Sequence, residues 1–211
     1  MMALTADLQA SLTPEDALDM LKEGNKRFVK NLNSNKDLLT QVNETCDGQW
    51  PFAVILSCID SRTSAELIFD QGLGDIFSVR IAGNFINQDI LGSMEYGCAV
   101  AGSKLIVVLG HTKCGALKGA LDRDTLESLG MDNLNHLIQH FDVSLDRVYI
   151  KGEKKSSENE NLLERLNHQN IYKSIEDIRR KSSVLRTMEK DKKIKIVGAN
   201  YNVTSGVVEW L

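Results

Sequence analysis

The feature that most constrains this chain is an apolar run with no polar side chain, FAVIL at residues 52–56. Similar segments recur at 76–82, 105–109 and, as KIKIVGANY, 193–201. A strand apolar at consecutive positions buries both faces, which is the habit of a parallel sheet covered by helices. Helix-like segments fill the gaps at 64–71, 89–101, 113–121 and about 126–141. Strands alternating with helices predict an α/β fold with a mainly parallel sheet core flanked by helices.

Ahead of the first strand, Thr13-Pro14-Glu15-Asp16 reads as a helix start: a capping hydroxyl, proline at the first helical position and two acids facing the dipole. That helix is expected to run to about Asn31, with a polar, non-periodic loop or arm over 33–48. Residues 151–161 (KGEKKSSENEN) read as a solvated loop, and 162–190 as a long amphipathic helix with a break expected near 167–170. No linker or repeat divides the chain, so 1–211 reads as one domain, a helical arm to about residue 48 and an α/β core from 49 onward.

Composition excludes several classes. Hydrophobic residues at 42% and charged residues at 26% are those of a globular chain, not a collagen-like or disordered one. A net charge of -4 supplies no field for nucleic acid or an anionic membrane. No apolar run approaches the ~20 residues of a membrane helix, and no basic flank precedes an apolar block at the N-terminus, so the expected location is the cytoplasm. Cys46, Cys58, Cys98 and Cys114 therefore read as reduced thiols.

The chemistry follows two of the buried strands. One ends in Ser57-Cys58-Ile59-Asp60-Ser61-Arg62 and the other in Gly110-His111-Thr112-Lys113-Cys114-Gly115. Sites in open parallel sheets lie beyond the carboxyl ends of the strands, so the clusters can converge although 53 positions separate Cys58 from His111. Two thiolates and an imidazole suit zinc, and three protein ligands leave a fourth position open. Cys46 and Cys98 read as small buried hydrophobes, and His136, His140 and His168 as surface or packing residues on helices. A cysteine phosphatase would need a longer glycine-rich loop between Cys58 and Arg62 than Ile59-Asp60-Ser61 supplies.

Cys58-x-Asp60-x-Arg62 followed by His111-x-x-Cys114-Gly115 resembles the signature of the β-class carbonic anhydrases. ELIFDQGLGDIFSVRIAGN, GSMEYGCAVAGSKLIVVLGHTKCGALKGA and the ending KIVGANYNVTSGVVEWL are similar to that family as well. Ile81 departs from it, standing where many members have asparagine, and the match from Asp122 to Ile171 is loose.

The resemblance implies that Cys58, His111 and Cys114 bind Zn2+, and that Arg62 pairs with Asp60 and keeps it off the metal. In the family's closed form Asp60 becomes the fourth ligand. A tryptophan three residues before the first cysteine marks an inhibitory bicarbonate site in some members. Ile55 stands there, which implies the open form. The implied reaction is reversible hydration of carbon dioxide to bicarbonate by zinc-bound hydroxide. Alternatives are a carbonyl sulfide or carbon disulfide hydrolase on the same fold, and a non-catalytic zinc scaffold, for which the Asp60–Arg62 pair would have no use.

The implied substrate pocket is Gln49 of a partner subunit, Phe77, Ala82, Tyr96 and the backbone of Gly115. On residue type alone, Phe77 and Tyr96 read as core packing. Nine residues of straight strand span about 30 Å, so Gln49 is out of reach of its own Cys58 unless the chain reverses at Gln49-Trp50-Pro51. The expected assembly is a homodimer or a dimer of dimers.

Overall fold

The computed structural model describes residues 3–127 and 130–211, and the side chains of all of these except 125 and 127. Five strands form one sheet: β1 (Ala53–Ser57), β2 (Ile76–Arg80), β3 (Leu105–His111), β4 (Lys195–Tyr201) and β5 (Val208–Trp210). The order is β2-β1-β3-β4-β5, with the first four parallel and β5 antiparallel to β4. Every residue of β1 and β3 is buried, as unbroken apolar runs require. The edge strand β2 alternates instead, with Ser78 and Arg80 exposed.

Four helices precede or follow β1: α1 (Ala6–Ser11), α2 (Pro14–Val29), α3 (Leu38–Glu44) and α4 (Ala65–Ile68). After β2 come α5 (Gln88–Glu95) and a π-helical turn over Tyr96–Val100. The segment after β3 holds α6 (Gly115–Leu121), α7 (Arg123–Glu127), α8 (Asp132–Gln139), α9 (Asp142–Val148), α10 (Glu160–Lys181) and α11 (Ser183–Lys190). Thr13 starts α2 as the sequence predicts: its Oγ1 accepts the Asp16 N–H at 3.1 Å, and Asp16 Oδ2 accepts the Thr13 N–H at 2.9 Å.

Successive side chains of β1 and β3 point to opposite faces and seed two cores. Ile55, Val107 and Leu109 pack with Ala17, Leu18 and Leu21 of α2. Val54, Leu56, Ile106 and Val108 pack with α5, α10 and α11 through Ile90, Ile171 and Leu185. Each fully buried aliphatic side chain contributes about 1.5–3 kcal/mol. A third cluster, including Phe85, Leu117, Phe141 and Leu166, closes around Cys58 and Cys114 at the carboxyl end of the sheet. Among the described residues no helix is long and apolar enough to cross a membrane.

Several local expectations change. Part of the expected 33–48 loop is α3, because Asp37 caps it by accepting the Thr40 N–H and buried Gln41 accepts the Leu73 N–H. Cys46, expected inside, is exposed just beyond that helix, whereas Cys98 is buried as expected. The long helix does not break at 167–170. Asn167 and Asn170 face inward, bonding Asn200 and the Gly83 carbonyl, so their amides do not compete with the helix. The break comes at Ser182, whose hydroxyl caps α11 through the Leu185 N–H. The expected 126–141 helix contains residues 128 and 129, outside the described residues, and is divided between α7 and α8 with Gly130 at φ +64° between them.

Candidate metal centre

Cys58 follows directly on β1, and the turn after it is held from outside. Arg80, in register with Ser57 on β2, donates from Nε to the Cys58 carbonyl (2.9 Å) and from a terminal nitrogen to the Asp60 carbonyl (2.6 Å). Thr63 Oγ1 donates to the same two carbonyls at 3.0 and 2.8 Å. The Cys58 sulfur accepts the Gly83 N–H at 3.3 Å.

His111 is the last residue of β3, and Cys114 precedes the first residue of α6. Between them Thr112 anchors the loop, its N–H donating to the Tyr201 carbonyl (2.9 Å) and its Oγ1 accepting the Val203 N–H (3.1 Å). The Thr112 carbonyl lies 2.9 Å from His111 Nδ1. A carbonyl only accepts, so Nδ1 carries the proton and Nε2 presents a lone pair. Nε2 is buried with no hydrogen-bond partner among the described residues. It faces two buried sulfurs, and the donor atoms of Cys58, His111 and Cys114 all lie within 4.8 Å of one another.

Of the two sulfurs, Cys58 ionises first. Hydrogen bonding from Cys114, with help from the Gly83 N–H, outweighs burial and lowers the Cys58 pKa to about 4. Cys114 is pushed up, first by Cys58 and then by burial. A divalent cation would displace the Cys114 proton and satisfy the orphaned Nε2 together with both sulfurs.

Asp60 turns its carboxylate to Arg62, which donates from Nε to Oδ1 (2.9 Å) and from a terminal nitrogen to Oδ2 (2.6 Å). This bidentate pairing, against the cost of burial, holds the carboxyl well below the usual range. Asp60, Cys58, Ala82 and Gly115 line one cleft of 570 Å³. Gln49, Phe77 and Tyr96 lie elsewhere. Gln49 is exposed beside Gly74, ahead of β2 and at the opposite end of the sheet from Cys58. The Phe77 and Tyr96 rings, 6.2 Å apart, line an open groove along the β2 edge.

Sequence reasoning missed Arg80, Thr63, Gly83 and Thr112, which position ligands without touching a metal. An arginine ending an edge strand was the one available signal, because register alone sets it against the Cys58 turn.

A carbonic anhydrase family profile matches residues 53–208, from the first residue of β1 to the first of β5. The chain belongs to the carbonic anhydrase family. It is 50% identical over 109 residues to carbonic anhydrase 2 of Mycobacterium tuberculosis, an alignment covering 51% of this chain and 53% of that protein. Carbonic anhydrase of Synechococcus elongatus is 32% identical over 181 residues, 83% of this chain and 64% of the relative. The chain thus spans about half to two thirds of these relatives' lengths. Among solved structures, the β-carbonic anhydrase CcaA superposes with a TM-score of 0.69 at 26% identity, covering 92% of this chain and 94% of that one. Coccomyxa β-carbonic anhydrase, at 22% identity and TM-score 0.71 over 92% and 86%, shares the fold. This mostly parallel five-stranded sheet flanked by helices is that of the β-carbonic anhydrases, and the family match contains all three residues of the Cys58–His111–Cys114 group.

Proposed function

We propose that this chain is a zinc-dependent carbonic anhydrase that hydrates carbon dioxide reversibly to bicarbonate and a proton. The observation that carries the reading is the buried Cys58–His111–Cys114 group, with an unpartnered Nε2, beside the cleft that Asp60 lines. Two thiolates and one imidazole fit zinc, and three protein donors leave one coordination position for chemistry. When bound there, zinc would supply Lewis acidity, lowering the pKa of a water from ~15.7 toward neutrality and so providing a nucleophile without a strong base.

The chain's own residues do the rest. Asp60, kept ionised by Arg62, accepts a hydrogen bond at a carboxylate oxygen and orients the donor for attack. Arg62 keeps that carboxylate away from the metal, which is the open form. As the first residue of α6, Gly115 has an N–H without an intrahelical acceptor, placed to donate to an oxygen of bicarbonate. Ala82 supplies an apolar wall.

Gln49, Phe77 and Tyr96 complete the pocket of a second copy in a homodimer or a dimer of dimers. The straight run of β1 supports this, since it separates Gln49 from the Cys58 of its own chain. A β-carbonic anhydrase of Sordaria macrospora that shares the fold is tetrameric.

Stopped-flow hydration of carbon dioxide, before and after chelation, tests the reaction. Activity should vanish with the metal and return with zinc; a zinc-loaded protein with no turnover refutes the reading. Mixing Gln49→Ala with Cys58→Ser tests the shared site. One working site per mixed dimer is expected, and no rescue despite proven subunit exchange refutes it.

A further inference from the structure

The cleft beside Cys58 and Asp60 does not stop at the metal centre. It continues outward between α6 and the α7–α8 pair. Gly115, Ala116 and Gly119 share one face of α6 by their three- and four-residue spacing and form one wall. Leu126, Leu134 and Ile138 form the other.

Glycine keeps both ends of the α6 wall low. A Cβ added at Gly115 would meet nothing within 4 Å among the described residues. At Gly119 an added Cβ would come within 2.8 Å of Leu126 Cδ1, so Leu126 lies directly on the helix backbone. The polar residues of the outer part stand at its rim. Asp122 there accepts the Ser157 N–H at 3.0 Å, with Lys118 beside them.

We propose that this cleft is an apolar entry lane for neutral carbon dioxide, built within one chain, and that Leu126 sets its width. A neutral linear gas crosses such walls without losing hydrogen bonds. Bicarbonate would shed its hydration against aliphatic carbon, at a cost that Lys118 at the rim does not offset along the inner walls. The lane rests on the hydratase reading above and adds a route to it, separate from the Phe77–Tyr96 groove. Leu126 touches no reacting atom, so it is a positioning residue.

Leu126→Trp should narrow the lane and lower kcat/KM for hydration about fivefold, leaving zinc content and kcat unchanged. The equilibrium constant ties the two directions together, so kcat/KM for bicarbonate dehydration should fall by the same factor. Leu126→Ala should stay at or above the parent value. Xenon provides a readout independent of activity, because apolar cavities bind it. Xenon-pressurised crystals of the parent protein should show an atom between Ala116 and Leu126, and Leu126→Trp crystals should not. Unchanged kcat/KM in folded, zinc-loaded Leu126→Trp, or a parent cleft free of xenon, overturns the lane. Should Leu126→Trp fail to fold, parent xenon occupancy decides. Absence of hydration in the zinc-loaded parent would refute the hydratase reading instead, with xenon still reporting on the lane.

Discussion

Gly83→Ala probes the support of the metal centre where three requirements meet. Gly83 has φ +76°, its N–H donates to the Cys58 sulfur at 3.3 Å, and its carbonyl accepts from Asn170 Nδ2 at 2.8 Å. An added Cβ would stand 2.3 Å from Cζ of Phe141, a fully buried ring. Left-handed backbone costs alanine about 1–2 kcal/mol, and overpacking a closed core costs about 1–3 kcal/mol. The sum is about 2–5 kcal/mol against a total stability of about 5–15 kcal/mol. For a chain of this size that corresponds to a melting temperature lowered by about 4–20 °C. Phe141 is fully buried and has no room to yield, so the Gly83 amide must move; the Cys58 sulfur then loses its donor, and zinc affinity should fall about 10–100-fold. Thermal denaturation and zinc competition against a chromophoric chelator measure both effects. Gly152→Ala is the control: φ there is +95°, yet no atom of the described residues lies within 4 Å of the added one, so only the backbone cost should appear. Equal melting shifts in the two variants, with zinc affinity unchanged in Gly83→Ala, would refute the reasoning.

Cys114→Ser should lower bound zinc from about one per chain toward zero and abolish hydration, because a hydroxyl is a far poorer ligand than a thiolate; metal analysis after dialysis checks it, and full occupancy removes Cys114 from the ligand set. Asp70→Asn should cost about 2–4 kcal/mol, read by denaturant unfolding, since the fully buried carboxylate pairs with Lys36 and with Arg27 Nε at 2.6 Å, Arg27 being partly solvated. Burial opposes ionisation of Asp70, but Lys36, Arg27 and Ser34 outweigh it and hold its carboxyl below the usual range. A lowered folded pKa stabilises above the unfolded value of about 3.9 and is lost as pH falls. The parent's advantage over Asp70→Asn should therefore be full above about pH 5 and shrink below it, and a gap constant from pH 7 to 3 would contradict this.

Much of the fold was legible because its signals are local. The capping box at Thr13 and Asp16 is made by neighbours, and FAVIL at 52–56 announces two-sided burial by itself. The spacing of Cys58, Asp60 and Arg62, and of His111 and Cys114, placed each half of the site at a strand end, where parallel sheets keep their chemistry. Other features depend on partners distant in sequence. Cys46 reads as a buried thiol until Asp37 and Gln41 fold the preceding segment into α3 and leave it outside. Asn167 and Asn170 look like helix breakers until their amides find Asn200 and the Gly83 carbonyl. Ser182 looks neutral until its hydroxyl caps α11.

The same division runs through the candidate metal centre. Residue type names the donors, but the tautomer of His111 comes from the Thr112 carbonyl, and the Cys58 turn is held by Arg80, brought there by strand register. Similarity to a family assigns Gln49 to the pocket of a partner subunit, but Phe77 and Tyr96 to a pocket without saying whose. Only the assembled sheet, with β1 running straight between Gln49 and Cys58 and β2 exposed at its edge, sets those three apart from their own chain's cleft. Local sequence carries hydrogen bonds and burial between near neighbours, whereas the distance between residues on different strands is fixed only once the sheet has closed around them.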